Sequence, residues 1–170
     1  VLGVLHFPAL AETISAARGA GCRWNGRACR VSGTDRLEDA LVVTSGDALV
    51  GPGLPGSGGA AAESPSTSGG PWPGLHDRVL GLQRLGARAH TFRTWGDCYG
   101  YALVATGRAD AMLDPILHIW DAAAIRPIIE EAGGVFSDWE GRPTHTTGTA
   151  IGTNAVLADA VREAIRNYIR

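Results

Sequence analysis

The stretch AMLDPILHIWDAAAIRPIIEEAGGVF, residues 111–136, decides the fold class of this 170-residue chain. It begins with an apolar strand at Ala111–Leu113, and it continues into a helix predicted over Asp121–Ala132. The two glycines after this helix are typical of a helix end, and a further apolar strand is predicted at Val135–Phe136. A strand, a helix and a second strand in succession predict a layered α/β domain.

The same alternation extends in both directions from this stretch. Further short strands are predicted at Val1–Pro8, Thr13–Ala17, Cys22–Trp24, Ala28–Val31, Leu41–Thr44, His90–Arg93 and Ala150–Gly152. The dipeptide Asn25-Gly26 predicts a tight hairpin turn, because both residues tolerate a positive φ. Helices are predicted from Leu75 to near Gly86, over Cys98–Thr106, and after Asn154, which is the expected N-cap of the last helix.

Residues 45–74 interrupt this pattern with glycine, serine and proline in no regular order. Such a segment buries too little apolar surface to offset the entropy lost on ordering, so we expect a mobile surface loop. A linker between two domains is the alternative. The chain is therefore divided into residues 1–44, which are rich in strands, the loop at 45–74, and an α/β unit over 75–170.

Composition argues against two classes of partner. Fifteen basic residues, all of them arginine, and 17 acidic residues give a net charge of -2, which leaves no positive excess for a nucleic-acid backbone or an anionic membrane. No apolar run reaches the roughly 20 residues of a membrane span. The three cysteines, at positions 22, 29 and 98, lack metal-type spacing and predict reduced thiols in a cytoplasmic protein.

Three aspartates fall at predicted element boundaries. Asp97 and Asp121 each begin a helix, and Asp114 ends a strand. A carboxylate at a helix N-terminus is favoured by the free N–H groups there and stays ionised, which suits a ligand of a hard cation such as Mg²⁺. Helix capping is the simpler interpretation of any one of them, and their spacing alone does not decide between the two.

Several motifs, in order along the chain, make it similar to a known family. The block Trp120-Asp121-x-Ala123-Ala124, followed by EEAGGVFSDWEG at residues 130–141, resembles the C-terminal part of the inositol monophosphatase superfamily. The runs WGDCYGY at 95–101 and ATGRA at 105–109 are similar to its histidinol-phosphatase branch. Short matches in residues 2–32 extend the resemblance to nearly the whole chain outside the loop at 45–74.

The resemblance implies a layered αβαβα sandwich. Residues 1–44 would be the end of its N-terminal sheet region, and residues 75–170 would be its C-terminal α/β unit with the second metal-binding signature. The implied reaction is the Mg²⁺-dependent hydrolysis of a phosphate monoester, with histidinol phosphate, an intermediate of histidine biosynthesis, as the substrate. Asp121 is the metal ligand that this resemblance implies.

The resemblance also implies which residues contact the substrate. Asp114 aligns with an acidic substrate-contacting position, which suits the amine and imidazole of histidinol phosphate. Arg93 and Asp97 are the other substrate-facing residues, although a surface salt bridge explains Arg93 equally well. Gly96 is expected to allow the backbone to approach the substrate closely.

Other conspicuous side chains are interpreted as structural. His118 precedes the implied metal ligand by three residues, but the family's metals take oxygen ligands, so we expect it to serve as a structural hydrogen-bonding residue. Tryptophans 95, 120 and 139 are expected to pack rather than to stack on a ligand. Cys98 is expected to be buried and inert.

One departure from the family pattern is large. The first family signature, Asp-Pro-Ile/Leu-Asp-Gly-Thr, does not occur, and Asp114-Pro115-Ile116 is followed by Leu117 where its second carboxylate would stand. No catalytic set is therefore complete in this sequence, which predicts a chain truncated before its metal-binding half and inactive alone. The resemblance implies a cytoplasmic homodimer. The alternatives are an inositol or sugar phosphatase, and a non-catalytic remnant completed in trans.

Overall fold

The computed structural model describes residues 1–45, 74–96 and 98–166. Asp97 and nearly all of the loop predicted at 45–74 lie outside these residues, so the mobility of that loop stays a prediction. In the part of the chain that is described, no helix has both the length and the apolar character needed to cross a membrane.

The first sheet is antiparallel and follows chain order. Its strands are β1 (Leu2–Phe7), β2 (Glu12–Ala17), β3 (Gly21–Trp24) and β4 (Arg27–Cys29). Asn25 and Gly26 between β3 and β4 have φ values of 48° and 80°, which confirms the predicted hairpin turn. Alternate residues of β1 and β2 point into the core, where Leu5, Ile14 and Ala16 are buried.

The second sheet is mixed and has the strand order β6-β5-β7-β9-β8. Its strands are β5 (Leu41–Thr44), β6 (Thr91–Thr94), β7 (Ala111–Asp114), β8 (Val135–Ser137) and β9 (Ala150–Thr153). Strand β5 lies between β6 and β7 and runs parallel to both, whereas β9 is antiparallel to β7 and β8. The carboxyl ends of three parallel strands therefore meet at one edge of this sheet.

The helices form two layers, one on each face of the second sheet. They are α1 (Leu75–Arg88), α2 (Tyr99–Ala105), α3 (Ile119–Glu131) and α4 (Ala158–Arg166). Helix α3 contacts β1, β2 and β3 on one side and β8 and β9 on the other, and α2 packs beside it, so these two helices separate the sheets. Helices α1 and α4 pack on the opposite face of the second sheet through a separate apolar cluster. The predicted layered α/β architecture is confirmed.

Two predicted helix boundaries are wrong. Helix α1 continues through Gly86 to Arg88, and the N–H of Ala89 still donates to the carbonyl of Leu85 at 2.9 Å. Gly86 is used here inside the helix because the ring of Phe92 packs against it, and an added Cβ would come within 3.1 Å of Cγ. Helix α3 begins at Ile119, two residues before the predicted start, because the N–H groups of residues 121 and 122 both donate to the carbonyl of His118. Asp121 is therefore the third residue of the helix and not its cap.

Close contact between α3 and β1 holds the two sheets together. Ile125, Ile128 and Ile129 of α3 are fully buried, and each such side chain contributes about 1.5–3 kcal/mol when it leaves water. Gly3 of β1 lies directly against the carbonyl of Ala124, so a larger residue there would collide with the helix backbone. The sequence of β1 therefore determines how close the first sheet approaches α3.

A cluster around Arg108 joins the first sheet to α2. The guanidinium of Arg108 makes two hydrogen bonds of 3.1 and 3.0 Å to the carboxylate of Glu12 in β2, and one of 3.2 Å to the hydroxyl of Tyr99 in α2. It also lies 4.4 Å from the ring centroid of Trp24, a cation–π contact. The hydrogen bonds and charge of Arg108 hold the pKa of Glu12 below its ordinary value of 4.5, although burial opposes this.

The Arg108 cluster predicts a specific acid sensitivity. Because the pKa of Glu12 is lower in the folded than in the unfolded chain, its contribution to stability is complete above the unfolded value and is lost as the pH falls through the folded value. We expect Glu12→Gln to lower the free energy of unfolding at pH 7 and to flatten its decline below about pH 4.5. Urea unfolding across this range measures both effects.

The control for this experiment is Glu163→Gln, which changes an exposed residue of α4. It should leave the stability at pH 7 within about 0.5 kcal/mol of the unmodified chain. Equal acid profiles for Glu12→Gln and the unmodified chain would show that the ion pair does not contribute to stability.

Candidate active site

The carboxyl ends of β6, β5 and β7 form the edge at which a ligand is expected in an open α/β sheet. Thr44 ends β5 and donates from its hydroxyl to the carbonyl of Leu113, 2.8 Å away. The backbone N–H of Trp95, just after β6, donates to the carbonyl of Thr44 at 2.9 Å. These bonds fix the three strand ends relative to one another, with Asp114 at the end of β7.

A cleft of about 830 Å³ lies beside this edge, between β1 and the start of α3. Its described lining includes Asp114 and Asp121, with apolar contributions from Val4 and Leu5 of β1. Asp114 is only 3% exposed, whereas Asp121 is open to solvent. The structure therefore brings together the predicted substrate-contacting and metal-ligating carboxylates in one depression.

The backbone around Asp114 is held from three directions. The indole N–H of Trp139 donates to the carbonyl of Asp114 at 2.9 Å, in a fully buried bond. Arg78 of α1 donates to the carbonyl of Pro115 at 2.8 Å, and the N–H of Leu117 donates to the carbonyl of Gly148 at 2.9 Å. These contacts determine the course of the chain from the end of β7 to the start of α3.

Tyr101 of α2 lies beside Asp114 beneath the cleft. The side chain is fully buried, and burial first, with the nearby negative charge of Asp114 second, raises the pKa of its hydroxyl well above 10. The phenol therefore keeps its proton over the physiological pH range and adds no charge to the site. The carboxylate of Asp114 is the negative group at this position.

Asp121 lies where the helix dipole favours a negative charge. It is the third residue of α3, and its N–H donates to the carbonyl of His118 at 3.1 Å. The partial positive charge at a helix N-terminus favours an ionised carboxylate in the first turn. Asp121 thus presents its carboxyl oxygen atoms to solvent in the cleft, and oxygen atoms are the ligands that a hard cation prefers.

The opposite end of β7 carries a second buried aspartate with a structural role. The carboxylate of Asp110 accepts hydrogen bonds from the hydroxyl of Ser32 at 2.5 Å and from the N–H of Leu41 at 2.7 Å. Asn154 donates to the same hydroxyl, and its side-chain oxygen accepts from the N–H of Leu157 at 2.8 Å. It therefore caps the turn that leads into α4, and the helix itself begins at Ala158, three residues later than a cap at Asn154 predicts. This network anchors the end of β7 that is remote from the cleft.

The other predicted substrate residues differ in placement. Arg93 is exposed on β6, where its guanidinium donates to the carbonyl of Phe92 at 3.0 Å, and it is not among the described residues that line the cleft. Gly96 is exposed in open space, so no described contact requires glycine there. Asp97 lies outside the described residues. The substrate roles of these three residues stay predictions.

Two of the aromatic residues are not packed as expected. Trp139 is buried, but Trp95 is 48% and Trp120 is 72% exposed. Trp120 lines the cleft and stacks on the ring of His118, with ring centroids 4.7 Å apart and planes at 18°. Cys98 also lines the cleft and is half-buried rather than buried. Cys98 and Trp120 lie at a surface because both residues border the cleft.

Several residues of this site carried no signal in the sequence. Arg78 lies on the predicted helix α1, but nothing in its surroundings indicates that it binds the carbonyl of Pro115. Trp139 is expected to pack, and its hydrogen bond to Asp114 depends on a fold in which residues 25 positions apart meet. A buried indole N–H needs a hydrogen-bond acceptor. This rule predicts that a buried Trp139 has a partner, but it does not identify the partner.

The oxygen ligands in the cleft are of the kind that Mg²⁺ prefers, but they are few. Asp121 and Asp114 are its acidic lining residues in the described part of the chain. Within residues 1–45, 74–96 and 98–166, no three His, Cys, Asp or Glu side chains are grouped closely enough to hold a metal ion. The two aspartates can supply part of a magnesium site but not a complete one. Mg²⁺ also takes water and substrate phosphate as ligands.

Comparison with known proteins gives consistent results. The model of the inositol monophosphatase family matches residues 1–170. A histidinol-phosphatase of Chlorobaculum parvum is 35% identical over 165 residues, which cover 92% of this chain and 54% of that protein. An inositol-1-monophosphatase of Mesorhizobium japonicum is 30% identical over 167 residues, with coverage of 98% and 55%.

The fold is also similar to a solved structure. The extragenic suppressor protein suhB from Bartonella henselae matches with a TM-score of 0.79 and 30% identity, over 99% of this chain and 57% of that one. The chain thus spans about half the length of the curated relatives it matches.

The hydrogen bond from Trp139 predicts a measurable loss of stability. Trp139→Phe keeps most of the buried ring but leaves the carbonyl of Asp114 without this donor, so we expect the free energy of unfolding to fall by about 1–3 kcal/mol. Trp95→Phe is the matched control at an exposed position, and it should change stability by no more than about 0.5 kcal/mol. Equal losses in urea unfolding would contradict the role assigned to the indole N–H.

Proposed function

The chain belongs to the inositol monophosphatase family, and from this premise we propose that it serves a Mg²⁺-dependent phosphatase that hydrolyses histidinol phosphate to histidinol. The family and the relatives that match are phosphatases, which supports a phosphate monoester as the substrate class. The observation that carries the proposal is the cleft in which Asp114 and Asp121 lie together at the carboxyl end of β7.

The cleft suits a substrate with a positive charge. Histidinol phosphate carries an ammonium group and an imidazole ring in addition to its phosphate. The carboxylate of Asp114 would attract the ammonium group, and the exposed face of Trp120 would accept a planar or cationic group. Neither contact favours inositol phosphate, whose non-phosphate part is an uncharged polyol.

The magnesium site is a further part of this proposal. The family generally uses Mg²⁺. Asp121 would hold the ion, which when bound supplies a Lewis acid for the phosphate oxygens and lowers the pKa of a bound water. Asp121 would reach the ion from the first turn of α3, and the buried Asp114 would orient the opposite end of the substrate.

A cytoplasmic homodimer is the assembly that the family resemblance implies. The three free thiols support only the cytoplasmic part of this proposal, because they suit a reducing compartment. A non-catalytic remnant that a partner completes in trans is the alternative outside the enzyme class. The reading frame upstream of Val1 discriminates between these two, because an in-frame Asp-Pro-Ile-Asp-Gly-Thr would supply the catalytic carboxylates.

An inositol or sugar phosphatase is the alternative within the family. The similarity to the inositol-1-monophosphatase of Mesorhizobium japonicum, over 98% of the chain, favours it. The test is to compare kcat/KM of the whole protein for histidinol phosphate and for inositol phosphate. We expect histidinol phosphate to be preferred at least about tenfold, a difference of about 1.4 kcal/mol. A tenfold preference for inositol phosphate would refute the assignment.

Asp114 and Asp121 should give opposite kinetic patterns in the whole protein. Asp114→Asn removes a charged contact to the substrate, so we expect kcat/KM for histidinol phosphate to fall about 10–100-fold at an unchanged Mg²⁺ requirement. Asp121→Asn removes a charge from the metal site, so the Mg²⁺ concentration needed for half-maximal activity should rise steeply. Titration with Mg²⁺ measures both variants, and a large shift for Asp114→Asn would make that residue a metal ligand.

The 170 residues on their own should not hydrolyse phosphate esters. Two ions held about 3.5–4 Å apart clamp the attacking and leaving oxygens in two-metal sites, and the described cleft offers too few carboxylates to fix such a pair. An assay of the purified chain with histidinol phosphate and millimolar Mg²⁺ checks this. Turnover above background that Asp121→Ala abolishes would show that these residues are sufficient.

A further inference from the structure

Two cysteines lie opposite each other on neighbouring strands of the first sheet, and neither is among the described residues that line the cleft. Cys22 of β3 and Cys29 of β4 are direct partners in the antiparallel register, and their sulfur atoms lie 3.5 Å apart. Opposite residues in an antiparallel pair have Cα atoms about 4.5–5.5 Å apart. Disulfides need a Cα separation of about 4.4–6.8 Å, so the backbone is already in position for one. The sulfur atoms must approach each other to about 2.05 Å, which side-chain rotation can supply.

The two thiols differ in access and in acidity. Cys22 is only 3% exposed, and burial raises its pKa to about 12. Cys29 is half-buried on the outer strand of the hairpin. Burial raises its pKa as well, but the contact with Cys22 and the positive charge of Arg108 oppose this rise. Cys29 is therefore the thiol that an oxidant in solution reaches first and that ionises more readily.

We propose that Cys22 and Cys29 form a dithiol site that a peroxide converts to an intrachain disulfide, and that a small thiol or a thioredoxin-like reductant restores it. Cys29 first releases its proton, and the sulfur of the thiolate attacks one peroxide oxygen. The O–O bond breaks, the departing hydroxide takes up a proton in place of the one that Cys29 released, and a sulfenic acid and one water form. The sulfur of Cys22 then attacks the sulfur of Cys29, and the S–O bond breaks. The departing hydroxyl leaves as a second water with the proton of Cys22. The two thiols lose two electrons and the peroxide gains them.

The disulfide would change the hairpin more than the rest of the fold. It would close a short loop around the Asn25-Gly26 turn and tie β4, which pairs only with β3 among the described strands, to the sheet. Cross-linking a short loop removes little conformational entropy from the unfolded chain, so the thermal stability should rise only slightly. The bond lies beside Trp24, which supports the guanidinium of Arg108, so it would also restrict this cluster.

Peptide mapping of the full chain tests the proposal directly. Under native conditions with a small excess of hydrogen peroxide, the intact mass should fall by two hydrogen atoms, and dithiothreitol should restore it. Trypsin cleaves after Arg23 and Arg27, between the two cysteines. The disulfide should therefore appear as peptide 19–23 linked to peptide 28–30, once free thiols have been blocked.

Variants identify the order of the two steps. Cys98→Ser is the matched control, because it removes the third cysteine and should still give the linked peptides. Cys22→Ser should instead leave a sulfenic acid on Cys29 that dimedone labels, whereas Cys29→Ser should react slowly. Because the linked peptides come from the unmodified chain, the main result does not depend on any variant folding.

Three outcomes would overturn the proposal. The first is oxidation of both cysteines to sulfinic acid with no linked peptide. The second is a linkage that appears only after the chain is denatured. The third is a disulfide that involves Cys98 or a second chain in place of the pair from β3 and β4.

Discussion

The burial of α3 between the two sheets is the constraint on which the rest of this structure depends. The helix is apolar on both sides, and its isoleucines at 125, 128 and 129 are shielded from water by strands that are far apart in sequence. Gly3 lets β1 approach the backbone of this helix at Ala124. Because β1 lies so close, Val4 and Leu5 come to line the same cleft as the first turn of α3. The packing that stabilises the core thus also forms one wall of the candidate site.

The second wall depends on hydrogen bonds to backbone carbonyls. The chain must leave the sheet after β7, turn and enter α3 within a few residues, where neighbouring strands no longer supply donors. Trp139 donates to the carbonyl of Asp114 at the end of β7, and Arg78 donates to the carbonyl of Pro115 just beyond it. Residues of α1 and of the loop after β8 therefore support the site. Neither Arg78 nor Trp139 is among the described residues that line the cleft. Such buried bonds matter because an unpaired carbonyl in the core is costly.

The site and the dithiol of the first sheet are separate features of one fold. Asp114 lies at the edge where parallel strands end, and Asp121 faces the same cleft from the first turn of α3. Cys22 and Cys29 lie in a hairpin whose geometry is fixed by the adjacent turn. Arg108 lies between these two regions. It contacts Trp24 in the first sheet and Tyr99 in α2, and Cys98, the residue before Tyr99, lines the cleft.

The sequence by itself determined the local elements and the family. The Asn25-Gly26 turn and the strand that ends at Asp114 were both predictable, because each depends on neighbouring residues and on backbone preferences. The motifs around Asp121 predicted the family, which the comparison supports over residues 1–170.

The tertiary structure alone decided what these elements meet. Only the fold shows that β5 lies between β6 and β7, that α1 continues through Gly86, where Phe92 packs, and that Trp120 is exposed in the cleft. The donors to the carbonyls of Asp114 and Pro115 could not be identified from the sequence either, since a hydrogen bond between distant positions leaves no periodic pattern. Which side chains are buried, and which groups they bond to, depends on the neighbours that the fold brings together. The sequence without its fold does not specify those neighbours.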